Sequence, residues 1–291
     1  MIKTVFWPLI TIYRIIRYAY FLLIKGSFKP TIKKNRSLTE KSCLIIGNGP
    51  SIAITLAQIT SDFPDNDIFV VNNFAESDWY KKIKPTYYVF ADPMYWIKFN
   101  SPAGKKELEI LIKIKEATDW RLTILIPFSA LKAFKLIFDD CPHIILRYFN
   151  DIILNTGTTL DYLLYQQSLA CPAIQNVMVQ SIYLALNIGY KEINLVGADH
   201  SWTKEIRVND ENIVCLIDNH FYDQDQMPRL QPWSPPDAPS YKMHEILIIL
   251  AKAFSGYHVL KKYADFLGTT IYNYTPDSFV DAFQRKSIKP L

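Results

Sequence analysis

Ser42-Cys43-Leu44-Ile45-Ile46-Gly47-Asn48-Gly49-Pro50-Ser51 decides the fold. A five-residue apolar run, too short for a helix, meets a glycine turn. A helix then starts near Ser51, with apolar residues from Ile52 to Ile59 at helical spacing. Residues 67–72 (DIFVVN) repeat the buried-strand pattern about 25 residues after the first strand begins, the length of a strand–helix–strand unit.

Working outward, residues 87–91 (YYVFA) read as a third strand closed by Asp92-Pro93. Residues 105–115 read as a helix, 122–126 (LTILI) as a fourth strand stopped by Pro127, and 144–146 as a fifth. Residues 176–187 form a buried helix with Gly189 in C-cap position. Residues 192–196 (EINLV) are a further strand, running into Gly197-Ala198-Asp199-His200. Residues 201–240 are polar, aromatic and proline-rich and read as a lid-like loop. Two helices (242–254 and 257–266), a last strand (269–272) and a turn (273–278) into a terminal helix complete the chain. The alternation predicts an α/β fold: a mostly parallel, Rossmann-like sheet with helices on both faces. Residues 42–291 are one domain, and 1–41 a basic amphipathic segment preceding it.

Composition narrows the function classes. A chain of 291 residues with 49% hydrophobic and 21% charged residues buries a sizeable core, which excludes disorder as its main character. The four cysteines form no CxxC pair, and His and Cys nowhere show zinc-ligand spacing. No GxSxG elbow marks a serine hydrolase. The net charge of +4 is uneven. Residues 1–41 hold nine Lys/Arg and one acid, a net +8, whereas the remaining 250 hold 23 basic and 27 acidic residues, a net −4. A nucleic-acid partner is not expected, because such binders spread positive charge over the folded domain.

The first thirty residues are apolar and aromatic but interrupted by Arg14 and Arg17, and their longest uncharged runs fall well short of the roughly 20 residues of a bilayer span. No small-residue cleavage site follows the apolar stretch. Arg14 and Arg17 share one helical face, while Ile12, Ile15, Ile16, Tyr20 and Leu23 cluster elsewhere. With the basic run that follows, this reads as an interfacial helix on the anionic inner face of the cell membrane, placing the protein in the cytoplasm as a peripheral membrane protein. The alternative is a helix packed on the body or on a second protomer, so a homo-oligomer stays open.

In parallel sheets, ligands bind beyond the carboxyl ends of strands. Four polar clusters fall there: Gly47-Asn48-Gly49-Pro50-Ser51, Asn72-Asn73, Asp92-Pro93 and Gly197 to His200. The first turn lets backbone approach a phosphate or ribose at a helix N-terminus, although it lacks the third glycine of the dinucleotide fingerprint and the lysine of a P-loop. Asn72 and Asn73 suit a base or ribose, or simply a turn; Asp92 suits a ligand or a helix cap. His200 and His220 sit where a general base is useful, whereas His258 reads as structural.

These islands, with residues 188–199 (IGYKEINLVGAD) and Thr275-Pro276-Asp277-Ser278, make the chain resemble the bacterial sialyltransferases of glycosyltransferase family 42. The same islands occur in a related superfamily holding archaeal 6-hydroxymethylpterin diphosphokinase-like and flagellin-glycosylation proteins. The resemblance implies a CMP-activated sugar donor, no required cofactor and a lid histidine as base. By position, Asn48, Ser51 and Asn72 would contact the nucleotide, with Asp199 in the same crevice as a catalytic candidate. Gly47, Gly49, Asn73, Asp92, Gly197 and Tyr222 complete the expected nucleotide site, Tyr222 facing the departing phosphate. His220 or His244 would be the base. The chain departs from that family at Asp92-Pro93 (Asn-Pro there), at residues 176–178 (Thr-Ser-Gly there) and in the lid, where His220-Phe221-Tyr222 is the nearest match.

The expected activity is an inverting glycosyltransferase of cell-surface glycan or lipopolysaccharide synthesis, using a nucleotide-sugar donor and a glycan or glycolipid acceptor. A diphosphotransferase with Mg²⁺ held by Asp92 and Asp199 is the alternative. A non-catalytic nucleotide- or glycan-binding protein is the third.

Overall fold

A computed structural model describes residues 2–63, 65–97, 104–173, 175–217, 230–232 and 239–288. The first half of the chain runs α1 (Ile2–Lys25), β1 (Ser42–Ile46), α2 (Ile52–Asp62), β2 (Asp67–Val71), α3 (Trp79–Ile83), β3 (Tyr87–Val89), α4 (Met94–Ile97), α5 (Lys105–Ala117), β4 (Leu122–Pro127), α6 (Leu131–Phe138) and β5 (Ile144–Phe149). The second runs α7 (Thr159–Gln166), α8 (Val177–Ile188), β6 (Glu192–Val196), α9 (Trp202–Glu205), β7 (Ile206–Val208), β8 (Val214–Ile217), β9 (Leu230–Pro232), α10 (Met243–Leu267), β10 (Thr270–Asn273) and β11 (Gln284–Arg285).

Eight strands form one sheet in the order β11-β10-β6-β1-β2-β3-β4-β5. Every neighbouring pair is parallel. The chain builds outward from β1 to β5, then returns to lay β6 on the other side of β1. Strand residues alternate between two cores. Cys43, Ile45, Phe69 and Leu195 face α8 and α10, whereas Leu44, Ile46, Val70 and Val196 face α2, α5 and α6. Strands buried on both faces read as continuous apolar runs, which is why SCLII and EINLV were recognisable as strands. The α/β, mostly parallel, Rossmann-like architecture is therefore the fold of the chain.

Local chemistry sets the element ends. Asn176 caps α8 by accepting from the Val179 amide at 2.9 Å, and Gly189 closes it at φ +108°. Three expectations are corrected. The two C-terminal helices are one, because Gly256 is a packing glycine: a Cβ there would lie 3.3 Å from the Val179 side chain of α8. No terminal helix follows residue 278 among the described residues; the short strand β11 pairs with β10 instead. The expected loop 201–240 contains α9 and an antiparallel sheet, β7-β8-β9. Val214 of this sheet packs with Ile246 and Leu250 on the first half of α10.

α1 lies along the body by one stripe. Tyr18 is buried, Phe21 and Leu22 pack against the core, and Arg14 donates to the Asn155 carbonyl. The other faces are bare: Leu9, Ile12, Tyr13, Ile16, Tyr20, Leu23 and Ile24 are all exposed. Trp7–Lys25, at a mean hydropathy of 1.2, has the length and apolar composition of a membrane-crossing helix even with Arg14 and Arg17 inside it. The strap that follows crosses the body. The Thr31 amide donates to Tyr148 O (3.0 Å), Asn35 N to Ile188 O (2.8 Å) and Lys191 N to Lys41 O (2.9 Å).

Candidate functional site

The order reversal between β1 and β6 opens a crevice beyond their carboxyl ends, the place where open parallel sheets bind ligands. A cleft of about 490 Å³ lies there, walled by the ends of β1, β2, β3 and β6, the start of α8, and α9.

Its floor is a crossing of two chains. Gly47 N donates to Val196 O (2.8 Å) and Gly49 N to Gly197 O (3.0 Å). A Cβ on Gly47 would come within 2.4 Å of Gly197 O, and one on Gly197 within 2.5 Å of Gly47 O. Gly197 also holds φ +65°, a conformation that glycine alone adopts freely. These glycines are thus demanded by each other. Gly49 has a different reason: its Cβ would overlap the Asp199 carboxylate, 1.9 Å from Oδ2.

That carboxylate accepts from Ser51 N (3.1 Å) and Ser51 Oγ (2.9 Å), at the start of α2. It occupies the place where a helix N-terminus would draw an anion. Burial raises the Asp199 pKa, and the two Ser51 donors partly oppose the rise. The amides of Gly47, Gly49 and Ser51 are all committed to protein acceptors, so the turn faces the cleft chiefly through the Asn48 side chain.

Three asparagines on the wall carry unpaired amide atoms. Asn48 donates Nδ2 to Val71 O (3.1 Å), which fixes its orientation, and its buried Oδ1 has no partner. Asn72 stands at φ +46°, with Oδ1 buried and unpartnered. Asn176 must turn Oδ1 to the Val179 amide, which leaves Nδ2 buried and unpartnered. An unsatisfied buried group costs about 1–3 kcal/mol, so these three atoms are hydrogen-bonding capacity open to a bound group; the other unpartnered atoms, on Glu107, Gln180 and Asn194, lie off the wall.

His200, at φ +50°, is the imidazole on the described wall. Its Nε2 meets the Tyr257 hydroxyl, which donates onward to Asn176 Oδ1 (3.3 Å), and its ring lies 4.3 Å from that of Trp202. Burial holds its pKa far below the ordinary value, so the ring is neutral at physiological pH.

The other expected residues divide. Asp92 reaches the wall, but its Oδ1 caps α4 by accepting from Met94 N at 2.9 Å. Asn73 accepts from the Tyr95 hydroxyl and stands off the wall. His244 is exposed in the first turn of α10, also off the wall. His220 and Tyr222 lie outside the described residues. The residues 275–278 brace the floor: Ala198 N donates to Thr275 Oγ1 (3.0 Å) and Ser278 Oγ to Ala198 O (2.6 Å). His258 pairs with Asp281 at the surface (3.0 Å). Sequence reasoning missed Asn176 as a wall residue; its one signal was a helix-capping asparagine before an apolar helix.

No Lys or Arg stands on the described wall. Among the described residues, no group of three or more His, Cys, Asp and Glu could hold a metal ion. No protein-family model matches this chain, and no curated protein matches it significantly.

Proposed function

We propose that this chain is an inverting glycosyltransferase that takes a sugar from a nucleotide-activated donor, a CMP-sugar by resemblance, and passes it to a glycan or glycolipid acceptor. The observation that carries this reading is the triad of unpaired amide atoms, Asn48 Oδ1, Asn72 Oδ1 and Asn176 Nδ2, in the cleft at the sheet's reversal point. Two neutral acceptors and one neutral donor match the edge of a base, ribose hydroxyls or a sugar.

In the reaction the acceptor hydroxyl oxygen attacks the anomeric carbon. The bond from that carbon to the phosphate oxygen breaks, the nucleotide leaves with the electron pair, and the hydroxyl proton passes to a base. His200 is a weak proton acceptor, because its lowered pKa lies far from neutrality. It serves as a neutral hydrogen-bonding group instead; by the resemblance, the base is His220 or His244, and Tyr222 stabilises the departing phosphate. Asp199 holds the turn and α2 in place.

The diphosphotransferase alternative asks Asp92 and Asp199 to hold Mg²⁺. They fit that role poorly, since Asp199 gives both oxygens to Ser51 and Asp92 gives Oδ1 to the α4 amide. The bare faces of α1 and the basic strap support peripheral attachment to the anionic inner face of the cell membrane, next to a lipid-linked acceptor.

The test is incubation with a panel of nucleotide sugars, with and without chelator, following nucleotide release. Release from a CMP-sugar that survives chelator is the expected result. Turnover of ATP that is lost in chelator would transfer the site to the alternative reaction, and binding without turnover would make the protein a scaffold.

A further inference from the structure

A second, larger cavity of about 1060 Å³ lies away from the cleft. On the α8 side, α8 and α10 cover the sheet around β1, β2, β6 and β10, whereas over β3 to β5 the strap after α1 lies across that face. Strand alternation turns Arg121, Thr123 and Leu125 to this side, and on β5 Ile145 and Arg147; Arg147 is in register with Leu125. The strap contributes Lys29, Lys33 and Lys34 to the same lining. Five cations from three separate stretches of chain thus converge on one cavity, and no carboxylate lines it among the described residues.

Among the described residues none of the five has an ion-pair partner. Like charges gathered without counter-charge repel one another, and in a body carrying net −4 outside residues 1–41 such convergence calls for an anion. The cavity rim includes Phe28, exposed and three residues beyond the end of α1 with its bare apolar faces.

We infer that this cavity binds a phosphate group carrying at least two negative charges, as a monoester or diphosphate. The ligand is either a lipid headgroup at the membrane surface or a soluble phosphate. The site does not rest on the glycosyltransferase reading, because none of its residues lines the cleft.

The experiment compares the full chain with R121A/R147A and with K33A/K34A, all of them exposed side chains. A charge-matched control, K252A/K262A, lies on α10. The probes are pyrophosphate in solution, vesicles of phosphatidylcholine with phosphatidic acid, and vesicles of equal surface charge made with phosphatidylglycerol. A membrane cation contributes about 1 kcal/mol, roughly fivefold, so each double variant should lose roughly 25-fold in affinity for its preferred probe. The control should stay near the parent, and nucleotide affinity at the cleft should not move in any variant. Preference for phosphatidic acid over phosphatidylglycerol, lost in both double variants, assigns the site to lipid. Pyrophosphate binding lost in the same variants without lipid preference assigns it to a soluble phosphate. The inference is overturned if the parent shows neither, or if the control loses as much as the cavity variants. Absence of nucleotide binding with intact phosphate binding would fail the cleft reading alone.

Discussion

The cleft and the basic cavity use opposite chemistry. The cleft wall carries no Lys or Arg among its described residues and presents unpaired neutral amides, those of Asn48 and Asn176 oriented by their other bonds. The cavity carries five cations and, among its described lining residues, no carboxylate. The first is stiff and directional, suited to distinguishing one hydrogen-bonding edge from another. The second is soft and long-ranged, suited to holding charge in many poses. A molecule can therefore keep specificity and attachment in separate places.

The comparison breaks most easily at the chain crossing. Gly197→Ala places a Cβ 2.5 Å from Gly47 O at φ +65°, and is expected to cost about 2–4 kcal/mol of unfolding free energy in denaturant titration. R121A/R147A should cost almost nothing in the same assay. Equal losses would mean that both regions are structural.

Asn48→Ala comes next. Removing a ligand-facing amide should weaken nucleotide binding by about 1–3 kcal/mol in calorimetry, with the unfolding midpoint changed little. Unchanged nucleotide affinity would move the ligand off this wall. Ionic strength then separates the two regions without mutation. Raising salt from about 0.1 M to 1 M shortens the screening length from about 10 Å to 3 Å, so phosphate binding at the cavity should collapse while nucleotide binding changes far less.

The smallest expected effect is a pH slope. The His200 pKa in the folded state lies below its unfolded value of about 6.5. Its contribution to stability is therefore complete above about 6.5 and is lost as pH falls toward about 3. His200→Gln should flatten that part of the stability profile; an unchanged slope would place the acid sensitivity elsewhere.

Most of the sheet could be read from the chain because β1, β2, β4 and β6 are buried on both faces and leave unbroken apolar runs. The insertion was opaque for the opposite reason. Its strands are short, and the turn between β7 and β8 is built from Asn209 accepting the amides of Glu211 and Ile213, a local bond that polarity alone does not announce. The gap expected between residues 254 and 257 is continuous helix, in which Gly256 makes a packing contact. At the cleft the glycines were visible but their cause was not: approach to another strand and approach to a phosphate demand the same residue. Asn176 was hidden by its capping role. The cavity was invisible because Arg121 and Arg147 stand far along the chain from the lysines they join.

The bond from Ser51 to Asp199 joins residues 148 apart in sequence. During synthesis β1 emerges early, yet its partner β6 follows only after β2 to β5 have been made. Until then β1 is an open edge of four fully buried-type residues, the kind of strand that pairs with the wrong neighbour. The nascent chain thus has an assembled half-sheet before it has a binding floor. Closing that floor is a late, long-range event, slow by the entropy of the loop it must close. An intermediate lacking β6 would hold the basic strap and the outer strands in place while having no cleft at all.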